Sequence, residues 1–163
     1  QACLLLDYSG CGESPGDFAE GTLSRWREEV LAVVKAHCSG EVVFIGSSMG
    51  GWMMLLCALE IPTRVAGLIG VAPAPDFTDW GYCETDRAKL AAGEVIYEAN
   101  AYGPEPTLTT LALWQSGQAM RLLDAPIALA CPVRLLHGTA ISQSRYVRIM
   151  LDSPVCSPIR SSR

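Results

Sequence analysis

The pentapeptide Gly46-Ser47-Ser48-Met49-Gly50 places a serine midway between two glycines, directly after the apolar run Val42-Val43-Phe44-Ile45 and shortly before Trp52-Met53-Met54-Leu55-Leu56. An apolar strand, a sharp turn and an apolar helix in that order form a nucleophile elbow. The outer glycines let backbone segments pass closely, and the middle serine is held with its hydroxyl exposed at the tip of a strained turn. Ser48 is therefore the candidate nucleophile. The same turn aims the backbone N–H of Met49 at the position where an acyl oxyanion would form, which makes Met49 the candidate oxyanion donor. The chemistry this allows is acyl transfer through a covalent acyl-serine. The alternative is that glycine and serine only shape a tight turn, and the flanking strand and helix argue for the elbow.

The elements that must hold this turn follow from hydrophobic periodicity. The pattern predicts a strand over 2–7, a loop from Tyr8 to Gly21, and a helix over about 22–38 with Leu23, Trp26, Val30, Val33 and Val34 on one face. A strand over 41–46, the elbow, a helix to about Ile61 and a strand over 65–72 follow. Short apolar strands alternating with helices specify an α/β fold with a parallel sheet carrying helices on both faces. In such sheets the binding site lies at the carboxyl ends of the strands.

After Val71 this rhythm stops, and it resumes only at Pro132-Val133-Arg134-Leu135-Leu136-His137. The segment 73–126 is expected to be a mainly helical insertion with a short helix near 86–92 and a longer one near 108–123. Because it leaves from the carboxyl end of one strand and returns to the next, it is expected to act as a lid over Ser48. Trp80, Tyr82, Tyr97, Tyr102, Trp114 and Met120 would line an apolar ceiling or, for most of them, form the insertion's own small core.

The chain has 163 residues, half of them hydrophobic, and a net charge of -5. That length is enough for one domain with a real core. The charge argues against a nucleic-acid surface, which needs clustered Lys and Arg, and small or acylated substrates fit it better. No apolar stretch reaches the roughly 20 residues of a membrane span. Seven cysteines at irregular spacing, with Cys3, Cys57 and Cys131 inside apolar segments, suit a reducing compartment. With no C-x-x-C pair and two histidines, neither a metal nor a cofactor is expected.

Three motifs carry a family resemblance. Asp7-Tyr8-Ser9-Gly10-Cys11-Gly12-Glu13-Ser14 resembles the loop after the fourth strand of α/β-hydrolases, Gly46-Ser47-Ser48-Met49-Gly50-Gly51-Trp52 resembles their elbow, and Arg134-Leu135-Leu136-His137-Gly138 resembles the end of their seventh strand. Asp-Tyr-Ser-Gly, Thr-Leu-Ser-Arg-Trp-Arg and Gly-Ser-Ser-Met-Gly-Gly-Trp are most similar to the branch containing mitochondrial palmitoyl-protein thioesterases and acyl-glucuronide esterases, and to its bacterial relatives. The resemblance runs from about Ala2 to Ala140. It implies an α/β-hydrolase fold, incomplete at both ends, and hydrolysis of acyl thioesters or carboxylic esters by a serine, a histidine and an acid. It also implies a bacterial cytosolic or mitochondrial setting.

The chain departs from that pattern at the acid and the base. The family places an aspartate a few residues after the His-Gly of the seventh strand, where this chain reads Thr139-Ala140-Ile141-Ser142, and its catalytic histidine comes later, where this chain has none. The tail 141–163, rich in Ser and Arg, reads as a different sequence joined at Ala140, as a frameshift or alternative exon would give. His37 is expected to cap a helix or face solvent, and His137 to bond within the strand-end turn. Asp76, after the sixth strand by resemblance, is the substitute acid, ahead of Asp79. Asp7 is expected to order the loop that follows it, and Cys11 to be an ordinary loop cysteine. The family's second oxyanion donor would precede Gln1. The reading is thus a serine hydrolase by family, with this literal chain expected to be inactive; the alternative is a non-catalytic fragment or variant.

Overall fold

The computed structural model describes residues 2–100 and 103–138. Tyr102 and the tail 141–163 lie outside the described residues. The chain divides into two compact units: one takes in the chain to Val30 with Phe77–Met120, the other Leu31–Asp76 with the chain from Arg121.

The second unit is built on a parallel sheet of β1 (Val42–Ser47), β2 (Val65–Val71) and β5 (Val133–Leu136), in the order β1-β2-β5. Phe44 stands beside Leu68 and Leu68 beside Val133, so one face presents a row of large apolar side chains. Helix α2 (Met49–Glu60) packs on that face and is apolar on every side, with Gly51 through Ala58 all buried. Met54, Leu55, Ala58, Val65, Leu68, Ile127, Leu129 and Val133 form one cluster, joined at its margin by Leu122 and Leu123. Truncating a fully buried member such as Leu55 to alanine costs about 2–5 kcal/mol. Along the opposite face Ile45 is 70% exposed, and Val43, Val71 and Leu136 are also exposed. The Arg64 guanidinium donates to the carbonyls of Cys38 (2.6 Å) and Gly40 (2.8 Å), fastening the chain just beyond α1 (Leu23–His37) to the turn before β2.

The first unit is organised around Trp26, which is fully buried. Its ring stacks on Tyr8 at a centroid distance of 5.4 Å and lies against Phe18 at 5.3 Å, while its Nε1 donates to the Ser9 carbonyl at 3.1 Å. Asp7 orders its loop as expected: its carboxylate accepts the Glu13 N–H and its carbonyl accepts the Ser14 hydroxyl. The segment 77–120 comprises α3 (Phe77–Trp80), α4 (Glu84–Ala91), an antiparallel hairpin of β3 (Ile96–Glu98) with β4 (Thr107–Thr109), and α5 (Leu111–Ala119). Tyr82 bonds Thr109 at 2.6 Å and Trp114 donates to the Thr78 carbonyl at 3.0 Å, so both serve the unit's own core; Tyr97 is exposed.

Two local expectations fail. Residues 2–7 form no strand, although their composition is that of one, and Leu5 is 92% exposed. A strand exists by pairing, and β1, β2 and β5 are the sheet's members among the described residues. The helix expected over 108–123 is Leu111–Ala119, because Thr107–Thr109 pair with β3 and the Thr110 hydroxyl then caps the helix by accepting the Leu113 N–H. Strands of three residues are too short to reveal an alternating pattern.

Candidate active site

Ser48 sits between the last residue of β1 and the first of α2, with φ 49° and ψ −120°. Its side chain is exposed and makes no capping bond to the helix it precedes. A serine at a helix N-cap ordinarily turns its oxygen onto the first-turn amides. Here that bond is not made. Met49, as the first residue of α2, carries one of the N–H groups that a helix leaves without an intrahelical partner. A negative charge close to that end would also gain from the helix dipole.

The backbone of Ser48 is held on both sides. Its N–H donates to the Val71 carbonyl at 3.2 Å, and its carbonyl accepts from Gly51 at 2.9 Å and Ala74 at 3.0 Å. The motif's glycines divide the sterics unevenly. A Cβ at Gly46 would lie 2.1 Å from the Gly50 carbonyl oxygen, one at Gly51 would lie 2.4 Å from the Pro73 Cβ, and one at Gly50 would meet nothing within 4 Å. The close passage expected of both outer glycines is therefore made at Gly46 and at Gly51, a residue outside the pentapeptide.

The other candidates each have contacts of their own. Asp76 is 3% exposed with φ 56°, and its carboxylate accepts the Leu122 N–H at 2.9 and 3.0 Å and the Leu123 N–H at 2.7 Å. Burial pushes its pKa above the ordinary carboxyl value, with the Leu123 and Leu122 amides and Arg121 pulling the other way. Sequence reasoning missed this amide-binding role, since Leu122 and Leu123 carry no polar side chain to signal it. His37 is the exposed last residue of α1. His137 is exposed, with its Nδ1 3.0 Å from the Gly138 carbonyl, as a strand-end turn residue would be. Asp79 contributes its backbone carbonyl to Arg87. Burial, Asp7 and Glu29 all push the Cys11 thiol pKa up, which disfavours a thiolate. Among the described residues no cluster of His, Cys, Asp and Glu could hold a metal ion, and no helix is long and apolar enough to cross a membrane.

A parallel sheet, a serine at a strained strand-to-helix turn and a helix N-terminus behind it define a class, and the chain belongs to it: residues 1–95 match the family model described as alpha/beta hydrolase fold. Within that family the chain is 36% identical over 141 residues to the mitochondrial palmitoyl-protein thioesterase ABHD10 of Homo sapiens, covering 84% of this chain and 46% of that protein. Among solved structures it is similar to a putative hydrolase from Agrobacterium vitis, at 40% identity and TM-score 0.72, over 79% of this chain and 53% of that one. It is also similar to mouse alpha/beta hydrolase domain-containing protein 10, at 30% identity and TM-score 0.79, over 94% and 65%. The chain thus spans about half the length of the curated relatives it matches.

Proposed function

We propose that this chain is the nucleophile-bearing part of a serine hydrolase of acyl thioesters or carboxylic esters, of the depalmitoylating thioesterase or acyl-glucuronide esterase type. The observation that carries the reading is Ser48, an exposed hydroxyl on a residue with φ 49° at the junction of β1 and α2. The human relative, a palmitoyl-protein thioesterase, supports the thioester class. In this reading Ser48 Oγ attacks the acyl carbonyl carbon, its proton passes to a base, and the carbonyl electron pair moves onto oxygen, where the Met49 N–H receives the charge. The pair then returns, the leaving thiol or alcohol departs with the proton, and water releases the acid from the acyl-serine by the same steps reversed. The substrate is an acyl-protein or an acylated small molecule. The segment 73–126 follows the carboxyl end of β2, the end at which parallel sheets bind ligands.

A second reading applies to the literal chain: it carries the nucleophile without the base. His37 ends α1 and His137 bonds beside its own turn, and each position has a structural account. A serine without a base at hydrogen-bond reach is a weak nucleophile at neutral pH. Labelling by a fluorophosphonate probe tests both readings. The full-length protein should label rapidly at Ser48 and its Ser48→Ala variant not at all, whereas the 163-residue chain should label far more slowly. An unlabelled full-length protein sinks the first reading. A rate for the 163-residue chain equal to that of the full-length enzyme sinks the second.

A further inference from the structure

Three non-glycine residues have positive φ among the described residues: Ser48 (49°), Ala72 (43°) and Asp76 (56°). Side chains rarely adopt such conformations unless the surroundings enforce them, and they concentrate where geometry is used. All three belong to one hydrogen-bonded path. The strap 71–76 leaves the end of β2, and its first residue, Val71, takes the Ser48 N–H on its carbonyl. Ala72 donates to the Leu136 carbonyl at 2.7 Å, tying the strap to the end of β5. Pro73 lies against Gly51, so closely that no Cβ fits there, and Ala74 donates to the Ser48 carbonyl. The strap ends at Asp76, whose buried carboxylate takes the amides of Leu122 and Leu123, residues packed against the core cluster.

We propose that Asp76 is a positioning residue for Ser48: by fixing the far end of the strap 71–76 to the backbone of Leu122 and Leu123, it holds Ala74 and Pro73 against the elbow and keeps the Ser48 peptide in its strained conformation. The proposal rests on Ser48 being the nucleophile only for its catalytic meaning; the mechanical coupling stands on its own contacts. One short aspartate engages two successive amides, one of its oxygens being within 3.0 Å of both. Pro73 and Pro75 stiffen the intervening chain, so a displacement at Asp76 is passed to Ala74 rather than absorbed between them. Asp tolerates positive φ better than most side chains, which is why this position can combine that backbone conformation with an anion.

Amide hydrogen exchange resolved by residue tests the coupling on the 163-residue chain. In Asp76→Ala the amides of Leu122, Leu123 and Ala74 should exchange about tenfold faster or more, as loss of charge-assisted bonds implies, while Leu68 in the sheet stays unchanged. Asp76→Asn keeps an acceptor oxygen and should restore much of the protection. Loss of protection at Leu122 and Leu123 with Ala74 unaffected would overturn the proposal, since the carboxylate would then fasten only the returning chain. A parallel loss at Leu68 would overturn it too, as general destabilisation. Should Asp76→Ala fail to fold, the wild-type chain in graded denaturant decides: Ala74, Leu122 and Leu123 should share one opening event, and independent opening of Ala74 overturns the coupling. A full-length enzyme that no probe labels at Ser48 would remove the nucleophile reading and leave these exchange results intact.

Discussion

The carbonyl oxygen of Ser48 accepts the backbone N–H of Ala74 at 3.0 Å, which joins the turn after β1 to the strap after β2 across the parallel pair that those two strands form. Neither residue's side chain takes part. The elbow's conformation is thus fixed from outside its own sequence, and substitutions there should separate fold from chemistry.

Three neighbouring glycines should give different results. Gly46→Ala and Gly51→Ala drive a methyl into the Gly50 carbonyl and Pro73, respectively, and each should cost about 1–3 kcal/mol as overpacking. Gly50→Ala adds a methyl in open space inside α2 and should be neutral or stabilising by up to about 1 kcal/mol. Urea midpoints of the three variants settle this; equal losses at all three positions would contradict the steric account.

Replacing Ser48 should trade stability against activity. Its backbone strain costs on the order of 1–3 kcal/mol, and glycine adopts positive φ without that cost. Ser48→Gly should therefore raise stability by about 1 kcal/mol, while full-length protein carrying it loses probe labelling. Denaturant titration alongside labelling checks both halves, and a destabilised glycine variant would count against the strain.

Asp76 and Glu29 should respond to pH in opposite senses. Burial raises the Asp76 pKa, so the folded chain binds that proton more tightly than the unfolded chain, and stability falls as pH rises from the ordinary carboxyl value through the raised one. Asp76→Asn removes that slope, so the variant should gain on the wild type with rising pH across this window. Burial also works upward on Glu29, but it is outweighed by the Ser9 hydroxyl and N–H and by Arg25, and its pKa is lowered. Its stabilisation is complete above the ordinary carboxyl value and disappears as pH falls through the depressed one. Ser9→Ala removes the 2.6 Å hydroxyl bond and should cost about 1 kcal/mol at neutral pH, less in acid. Urea midpoints from about pH 3 to 7 would expose either sign as wrong.

Trp26 should dominate the stability of its unit. Trp26→Phe keeps ring packing on Tyr8 and Phe18 but leaves the Ser9 carbonyl without its indole donor, costing about 1–3 kcal/mol. Trp26→Ala should cost about 3–5 kcal/mol. Thermal unfolding followed by circular dichroism orders the two variants, and equal effects would deny the ring its packing role.

The elements that place Ser48 were legible in the sequence because their signals are local. Val42-Val43-Phe44-Ile45, the glycine-flanked serine and the apolar run of α2 each state their conformation within a few residues, and the structure has β1 at Val42–Ser47 and α2 at Met49–Glu60. The same local reasoning failed at 2–7, where a strand-like composition pairs with none of the described strands, and at 96–109, where two three-residue strands are too short to show a period. What tertiary structure alone decided was the meaning of Asp76, Gly51 and Ala74. A sequence can mark a carboxylate as titratable, but backbone amides 46 and 47 residues away leave no trace in residue type, and they are what bind this one. Local patterns choose helices, strands and turns because those depend on neighbours in the chain. The restraints on the Ser48 peptide are backbone contacts from a distant strap, which any sequence of the right shape could supply, so they are decided only when the sheet forms.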